Sequence, residues 1–188
     1  MERTFDTKHN ECLEVDSNHV EEYVDLVDQN DCVVQTMARS EVYQKNLCSM
    51  LRSVWLIIKN EQGQLWIPRR SLTMDRLPGY LDGSVSGHVR SGESYEQALF
   101  RETQEEAGID LSAYGVISLL GKLTPHEHNA FCFAVVYELT LPDAPQNWNR
   151  DDIAEWYWFT PEELRRQFTQ GDKFKDMLPI ILEQFYKK

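Results

Sequence analysis

The segment from Gly87 to Ile109, GHVRSGESYEQALFRETQEEAGI, constrains this chain more than any other. From Ser94 to Ala107 it contains neither proline nor glycine, and Gly108 supplies a helix stop. Tyr95, Ala98, Leu99, Glu102 and Glu106 fall at i, i+3, i+4, i+7 and i+11, which is one stripe of one helix. The stripe is apolar in its first half and acidic in its second. Glu105 follows Glu102 by three residues and borders the same face. Carboxylates this close raise one another's pKa unless something positive sits between them. The bland alternative is a solvated acidic face balanced by Lys and Arg, but the helix offers only Arg101. The acidic half also continues an apolar stripe, which turns it inward. A hard cation with oxygen ligands answers this pattern. Mg²⁺ fits, with Mn²⁺ as a substitute, because it uses a few carboxylates and completes its shell with water and phosphate oxygens.

Gly87, Glu93, Arg101-Glu102, Glu105-Glu106 and Gly108, closed by the aliphatic Ile109, resemble the Nudix box. That box is the metal-binding loop-helix-loop of the Nudix hydrolases. Only Thr103 is less apolar than the usual residue at its position. The resemblance implies an α+β Nudix fold, a mixed β-sheet sandwiched between helices. It also implies hydrolysis of a diphosphate linkage, with Glu102, Glu105 and Glu106 as metal ligands. The flanks, Trp66–Ser71 and Leu77–His88, resemble the type I isopentenyl-diphosphate isomerases and the hydrolases nearest to them. So does the N-terminal YVDLVDQND…ARSEVY stretch, which extends the likeness to about 22–164. His88 matches a metal-ligand histidine of those isomerases. Their catalytic cysteine is Ser86 here. Moving a double bond needs a thiol of tuned pKa, and a serine hydroxyl is too weak an acid for it.

The chain has 188 residues, of which 41% are hydrophobic, enough for one domain with a sizeable core. Residues 21–188 read as that domain, with 53–164 as its centre and 1–20 as a flexible lead-in. No run of about 18 apolar residues appears, so no membrane helix is expected. The N-terminus lacks an apolar signal core, and a cytoplasmic protein is expected. Cys12, Cys32, Cys48 and Cys132 are scattered without a C-x-x-C pair and read as reduced thiols. A net charge of −12 disfavours long nucleic acid and anionic membranes as partners. It leaves room for a small diphosphate substrate, which needs only local positive charge. Oligomeric state is open, a homodimer included.

Glu22–Val27 and Cys32–Met37 read as a hairpin, and Ser40 as the cap of a short helix. Ser53–Lys59 and Gln64–Ile67 flank a turn, and a long loop runs on to the box helix. Tyr114–Leu123, Ala130–Leu139 and Ile153–Phe159 read as further strands. Thr160-Pro-Glu-Glu opens a capped helix, and a last helix from Asp172 to Tyr186 should kink or split at Pro179.

Arg69, Arg70 and Arg76 are the candidate phosphate contacts, because arginine suits bidentate phosphate binding. Ser86 is a candidate hydrogen-bond donor to phosphate. Arg101 is expected to brace Glu93. Glu105, Glu106 and Glu127 are the candidate catalytic carboxylates, with Glu105 or Glu127 as general base. Trp66, Trp156 and Trp158 either stack on a base or fill the core. The leading expectation is a Mg²⁺-dependent pyrophosphohydrolase. Its rivals are an isomerase with a replaced acid/base and a nucleotide-sensing module without turnover.

Overall fold

The computed structural model describes residues 21–114 and 116–187. The lead-in expected over 1–20 lies outside the described residues. Eight strands and five helices run β1 (Tyr23–Val27), β2 (Val33–Ala38), α1 (Arg39–Gln44), β3 (Arg52–Lys59), β4 (Leu65–Arg70), β5 (Val85–His88), α2 (Tyr95–Ala107), β6 (Ser118–Leu123), α3 (Pro125–His128), β7 (Phe133–Thr140), β8 (Ile153–Phe159), α4 (Pro161–Gln170) and α5 (Met177–Phe185). The architecture is α+β, as the box and the strand pattern imply.

The main sheet has six strands in the order β6-β7-β3-β4-β8, with β5 also on β3. β3 and β7 run parallel over their full length. The other edge of β3 is shared. Its C-terminal end meets β4 at Lys59↔Leu65, and its N-terminal half pairs with β5 from Ser53↔His88 to Leu56↔Val85. The sheet therefore forks, and β4 leaves β3 to pair with β8.

β3 is buried on both faces because its side chains alternate between two cores. Val54, Leu56 and Ile58 pack with Ala98 and Leu99 of α2. Trp55 and Ile57 pack with Leu178, Ile181 and Leu182 of α5. A third cluster joins the β1–β2 hairpin and α1 through Val24, Leu26, Val42 and Leu51.

The helix signals hold at α2 and α4. Ser94 and Gln97 form a capping box, and Gly108 ends α2 in the left-handed conformation at φ 65°. Thr160 and Glu163 do the same for α4, with proline in its first turn. Four local expectations change. Ser40 does not cap α1; the cap is Ala38, and the Ser40 hydroxyl donates to Glu21 at 2.7 Å. The loop before the box contains β5, too short to show a period. The connection between the expected strands Tyr114–Leu123 and Ala130–Leu139 is not a plain loop: His126-Glu127-His128 lies in one helical turn capped by Thr124. The last helix begins at Met177, so Pro179 sits in its first turn, where no hydrogen bond is lost and no kink is needed. Residues 172–175 are extended, and Phe174 bridges Leu81 in parallel.

Candidate active site

α2 lies across β5, and the approach is close at one point. A Cβ added to Gly87 would fall inside the Glu102 carboxylate. Glycine at this position thus makes the seat for Glu102. Gly87 also separates the two faces of the four-residue strand. Its own face turns to α2, while Ser86 and His88 project from the opposite face.

Arg101 organises the acidic side. Its guanidinium grips Glu93 with two hydrogen bonds of 2.8 and 2.9 Å. It donates to Glu102 at 2.7 Å, to Glu105 at 3.2 Å and to the His88 carbonyl at 3.0 Å. Arg101 braces Glu93 as expected, and it neutralises the neighbouring carboxylates as well. Burial raises the Glu102 carboxyl above its ordinary range, opposed by Arg101. Burial also pushes Glu106 up to about 8, against the pull of Lys175 and with the repulsion of Glu102 and Asp82. Glu106 accepts the Ser86 backbone N–H at 3.0 Å. Glu105 is about half exposed.

The hairpin holds the loop that opens the box. Asp25, buried at 6% exposure, accepts from Thr36 and Ser91 at 2.7 Å each, and from the Gly92 N–H at 2.9 Å. Glu22 binds Arg90 at 2.8 Å and Arg39 at 2.7 Å. Arg90 in turn lies 3.7 Å from Glu105.

The opposite face of β5 is cationic. The Ser86 hydroxyl accepts from Lys175 Nζ at 2.6 Å and donates to Asp82 at 3.2 Å. Lys175 also pairs with Asp82 at 3.0 Å. His88 Nε2 meets the Tyr43 hydroxyl at 2.7 Å, and Arg76 stacks over the Tyr43 ring at 3.8 Å. Burial, then Arg39, Lys175 and Arg76, pull His88 down to about 3, so the imidazole is neutral.

The sequence candidates therefore separate. Glu102, Glu105 and Glu106 come together on α2, with Glu93 behind them. His88, expected as a fourth ligand, lies on the other face of β5 and is not brought to them. Among the described residues no three His, Cys, Asp or Glu groups converge tightly enough to hold an ion as they stand. The donor set is still right for a hard divalent cation: all oxygen, partly buried, clustered, and with its closest approach secured by Gly87.

Glu127 is mostly exposed and accepts from the Thr124 hydroxyl at 3.0 Å, capping its own turn. Arg69 is committed to Glu155 at 3.0 Å and the Gly79 carbonyl at 3.0 Å. Arg70 donates to the Arg76 carbonyl at 3.0 and 3.2 Å and to Asp82 at 3.2 Å. These contacts organise the loop between β4 and β5. Trp66 is fully buried and belongs to the core, Trp156 packs against it at a tilt, and Trp158 meets Trp156 edge-on. Lys175, Asp82 and Tyr43 were not singled out from sequence. Lys175 lies 89 residues from Ser86, and no period or motif links the two.

The model of the NUDIX domain family matches residues 50–178. The chain belongs to the Nudix family. An uncharacterized Nudix hydrolase of Nostoc sp. is 41% identical over 165 residues, covering 88% of this chain and 96% of that protein. A Nudix hydrolase of Deinococcus radiodurans is 36% identical, with 89% and 96% covered. The crystal structure of DR0079 from Deinococcus radiodurans superposes with a TM-score of 0.82 at 36% identity, covering 88% of this chain and all of that one. The Nudix fold and the hydrolase class follow. Nudix enzymes generally use divalent metal ions, in keeping with the donor set on α2. No helix among the described residues is long and apolar enough to cross a membrane.

Proposed function

We propose that this Nudix hydrolase is a Mg²⁺-dependent pyrophosphohydrolase, acting on a nucleoside di- or triphosphate or another X-linked diphosphate. The observation that carries the reading is the seat of Glu102 against Gly87, with Glu105 and Glu106 on the same helix face. Glu102, Glu105 and Glu106 would hold the cation, with Mn²⁺ as a substitute. When bound, a divalent cation offsets the negative charge that grows on phosphate oxygens during displacement.

The chain's own groups do the rest. Arg101 and Glu93 fix the acidic face. The Ser86 N–H orients Glu106. Water attacks phosphorus in line, Glu105 or Glu127 takes its proton, and the bridging P–O bond breaks as the other phosphate departs with the electron pair. Glu105 is the better placed, since it shares the face of Glu102 and retains solvent access. Arg70 shapes the substrate loop through the Arg76 carbonyl, and Arg76 is the arginine left to face substrate. Residues 21–188 act as one domain in this reading, in a cytoplasmic setting and with no nucleic-acid or membrane partner; a homodimer is compatible with it. The flank resemblance to isopentenyl-diphosphate isomerases is read as common descent of the scaffold. Ser86, hydrogen-bonded to a charged lysine and a carboxylate, has no means of exchanging protons with carbon.

The test is a panel of nucleotide, dinucleotide, sugar-nucleotide and isoprenoid diphosphates with Mg²⁺ or Mn²⁺, read by chromatography for release of phosphomonoester, phosphate or pyrophosphate products. Metal-dependent release from at least one compound is expected. No release from any of them with either metal would overturn the reading.

A further inference from the structure

Ser86 touches both sides of the cleft with a single residue. Its backbone N–H holds Glu106 at 3.0 Å, and its hydroxyl holds the Lys175 ammonium at 2.6 Å. An acidic group suited to metal and a cation suited to phosphate are thus anchored on one residue, near enough for Lys175 to act electrostatically on Glu106.

The cationic side is built. Lys175 is delivered by the extended 172–175 segment, which zips onto Leu81 through two backbone hydrogen bonds of 2.9 Å, Leu81 N–H to the Lys173 carbonyl and Lys175 N–H to the Leu81 carbonyl. Its ammonium lies over the Trp55 ring, 5.0 Å from the centroid. Lys175 keeps about a quarter of its side chain exposed, and Asp82 and Ser86 engage two of its three donors. Arg76 is held over Tyr43 and forms no ion pair with the described residues. Tyr43 itself is pinned by His88 Nε2, while His88 Nδ1 is buried with no hydrogen-bond partner among the described residues. In a chain of net charge −12, this is a local reversal of sign.

We propose that Lys175 and Arg76, on the Ser86–His88 face of β5, form an anion site that takes the phosphate next to the one held at the glutamates, and that the substrate therefore ends in a free phosphate. A terminal phosphate carries close to two negative charges at neutral pH, and an esterified one carries one. Two cations facing one group favour the dianion. The proposal rests on the pyrophosphohydrolase reading for its use in turnover, while anion binding stands apart from it.

Inorganic pyrophosphate without added metal is the first probe, titrated by calorimetry into the intact protein. Binding is expected, weakened at least about tenfold by Lys175→Met and by Arg76→Gln, and kept in Glu106→Gln. Lys175→Met retains most of the side chain's apolar bulk while removing the charge, and circular dichroism checks that each variant is folded. Equal binding by wild type and both cation variants, or loss only in Glu106→Gln, would overturn the site. The second probe compares a nucleoside triphosphate with its terminal methyl ester under Mg²⁺. The wild type is expected to prefer the free phosphate by at least about tenfold in kcat/KM, and Lys175→Met to erase most of that preference. Equal turnover of the two compounds overturns the free-phosphate inference and leaves the hydrolase reading standing. Failure of every diphosphate with every metal sinks the hydrolase reading while the calorimetry still decides the anion site.

Discussion

At the scale of single residues, two substitutions separate chemistry from support. Glu106→Gln removes a carboxylate that burial already disfavours in its charged form. We expect kcat to fall at least about a hundredfold, the scale of losing one strong transition-state stabiliser. Thermal stability in metal-free buffer should hold or rise, because one repulsive charge is gone. Near-normal turnover would remove Glu106 from the metal set. Arg70 behaves otherwise. Read from sequence, it is a phosphate contact, but in the fold three of its N–H groups are spent on the Arg76 carbonyl and Asp82. Arg70→Ala should cost about 1–3 kcal/mol of stability, the range for stranding partly buried polar partners. It should also raise KM more than it lowers kcat, by loosening the loop that presents Arg76. A melting temperature equal to wild type alongside a raised KM would put the guanidinium on the substrate directly.

At the scale of elements, the β1–β2 hairpin is a clamp on the box loop, and Asp25 is its centre. Burial alone would raise the Asp25 carboxyl. The Gly92 N–H, the hydroxyls of Thr36 and Ser91, and Arg52 outweigh it and hold the group below its ordinary range. A carboxyl depressed by folding adds stability that is fully present above its unfolded pKa, near about 3.9. That contribution is lost as pH falls through the lower folded value. Asp25→Asn should therefore be less stable than wild type at neutral pH, by about 1–3 kcal/mol. The gap should narrow below about pH 4. Denaturant melts of both proteins across pH 2.5 to 7 check this; a gap independent of pH would refute it. α2 was legible because its caps, stop and stripe are local. β5 was not, because four residues with a central glycine carry no period and gain strand geometry only from pairing with β3. The C-terminal segment was misread for a related reason. Its apolar spacing suits a helix, yet 172–175 is drawn out by backbone pairing with Leu81.

At the scale of the molecule, both the family and the acidic half of the site were visible in one unbroken segment. Most of the cationic half was not: Arg76 was a candidate phosphate contact, but Tyr43, Asp82 and Lys175 come from three separate stretches and meet only in the fold. Where Ser86 stands, the isomerases resembled by the flanks keep a thiol. The whole-protein outcome expected is no double-bond migration when the chain is incubated with isopentenyl diphosphate and Mg²⁺. Ser86 is buried at 6% exposure, with its hydroxyl tied to an ammonium and a carboxylate. Dimethylallyl diphosphate among the products, seen by proton NMR, would promote the isomerase.

The forked sheet has one more consequence. Where β4 parts from β3, the Ile58 N–H donates at 2.8 Å to the Ser84 hydroxyl, which donates in turn at 2.6 Å to the Trp66 carbonyl. A side chain has been spliced into the ladder as a rung, so beyond the Lys59↔Leu65 pairing the two half-sheets are linked here through one side-chain oxygen. On one leaf lie β5 and the glutamates packed against it. On the other lie Arg70 and the strand that leads into its loop. Ser84→Ala would cut the stitch inside a site of 1% exposure, leaving a donor and an acceptor unanswered. A loss of about 2–4 kcal/mol is expected, with faster amide exchange at Ile58 than elsewhere in β3. The two halves of the candidate site are therefore set relative to one another partly through a side-chain hydroxyl rather than through an unbroken backbone ladder.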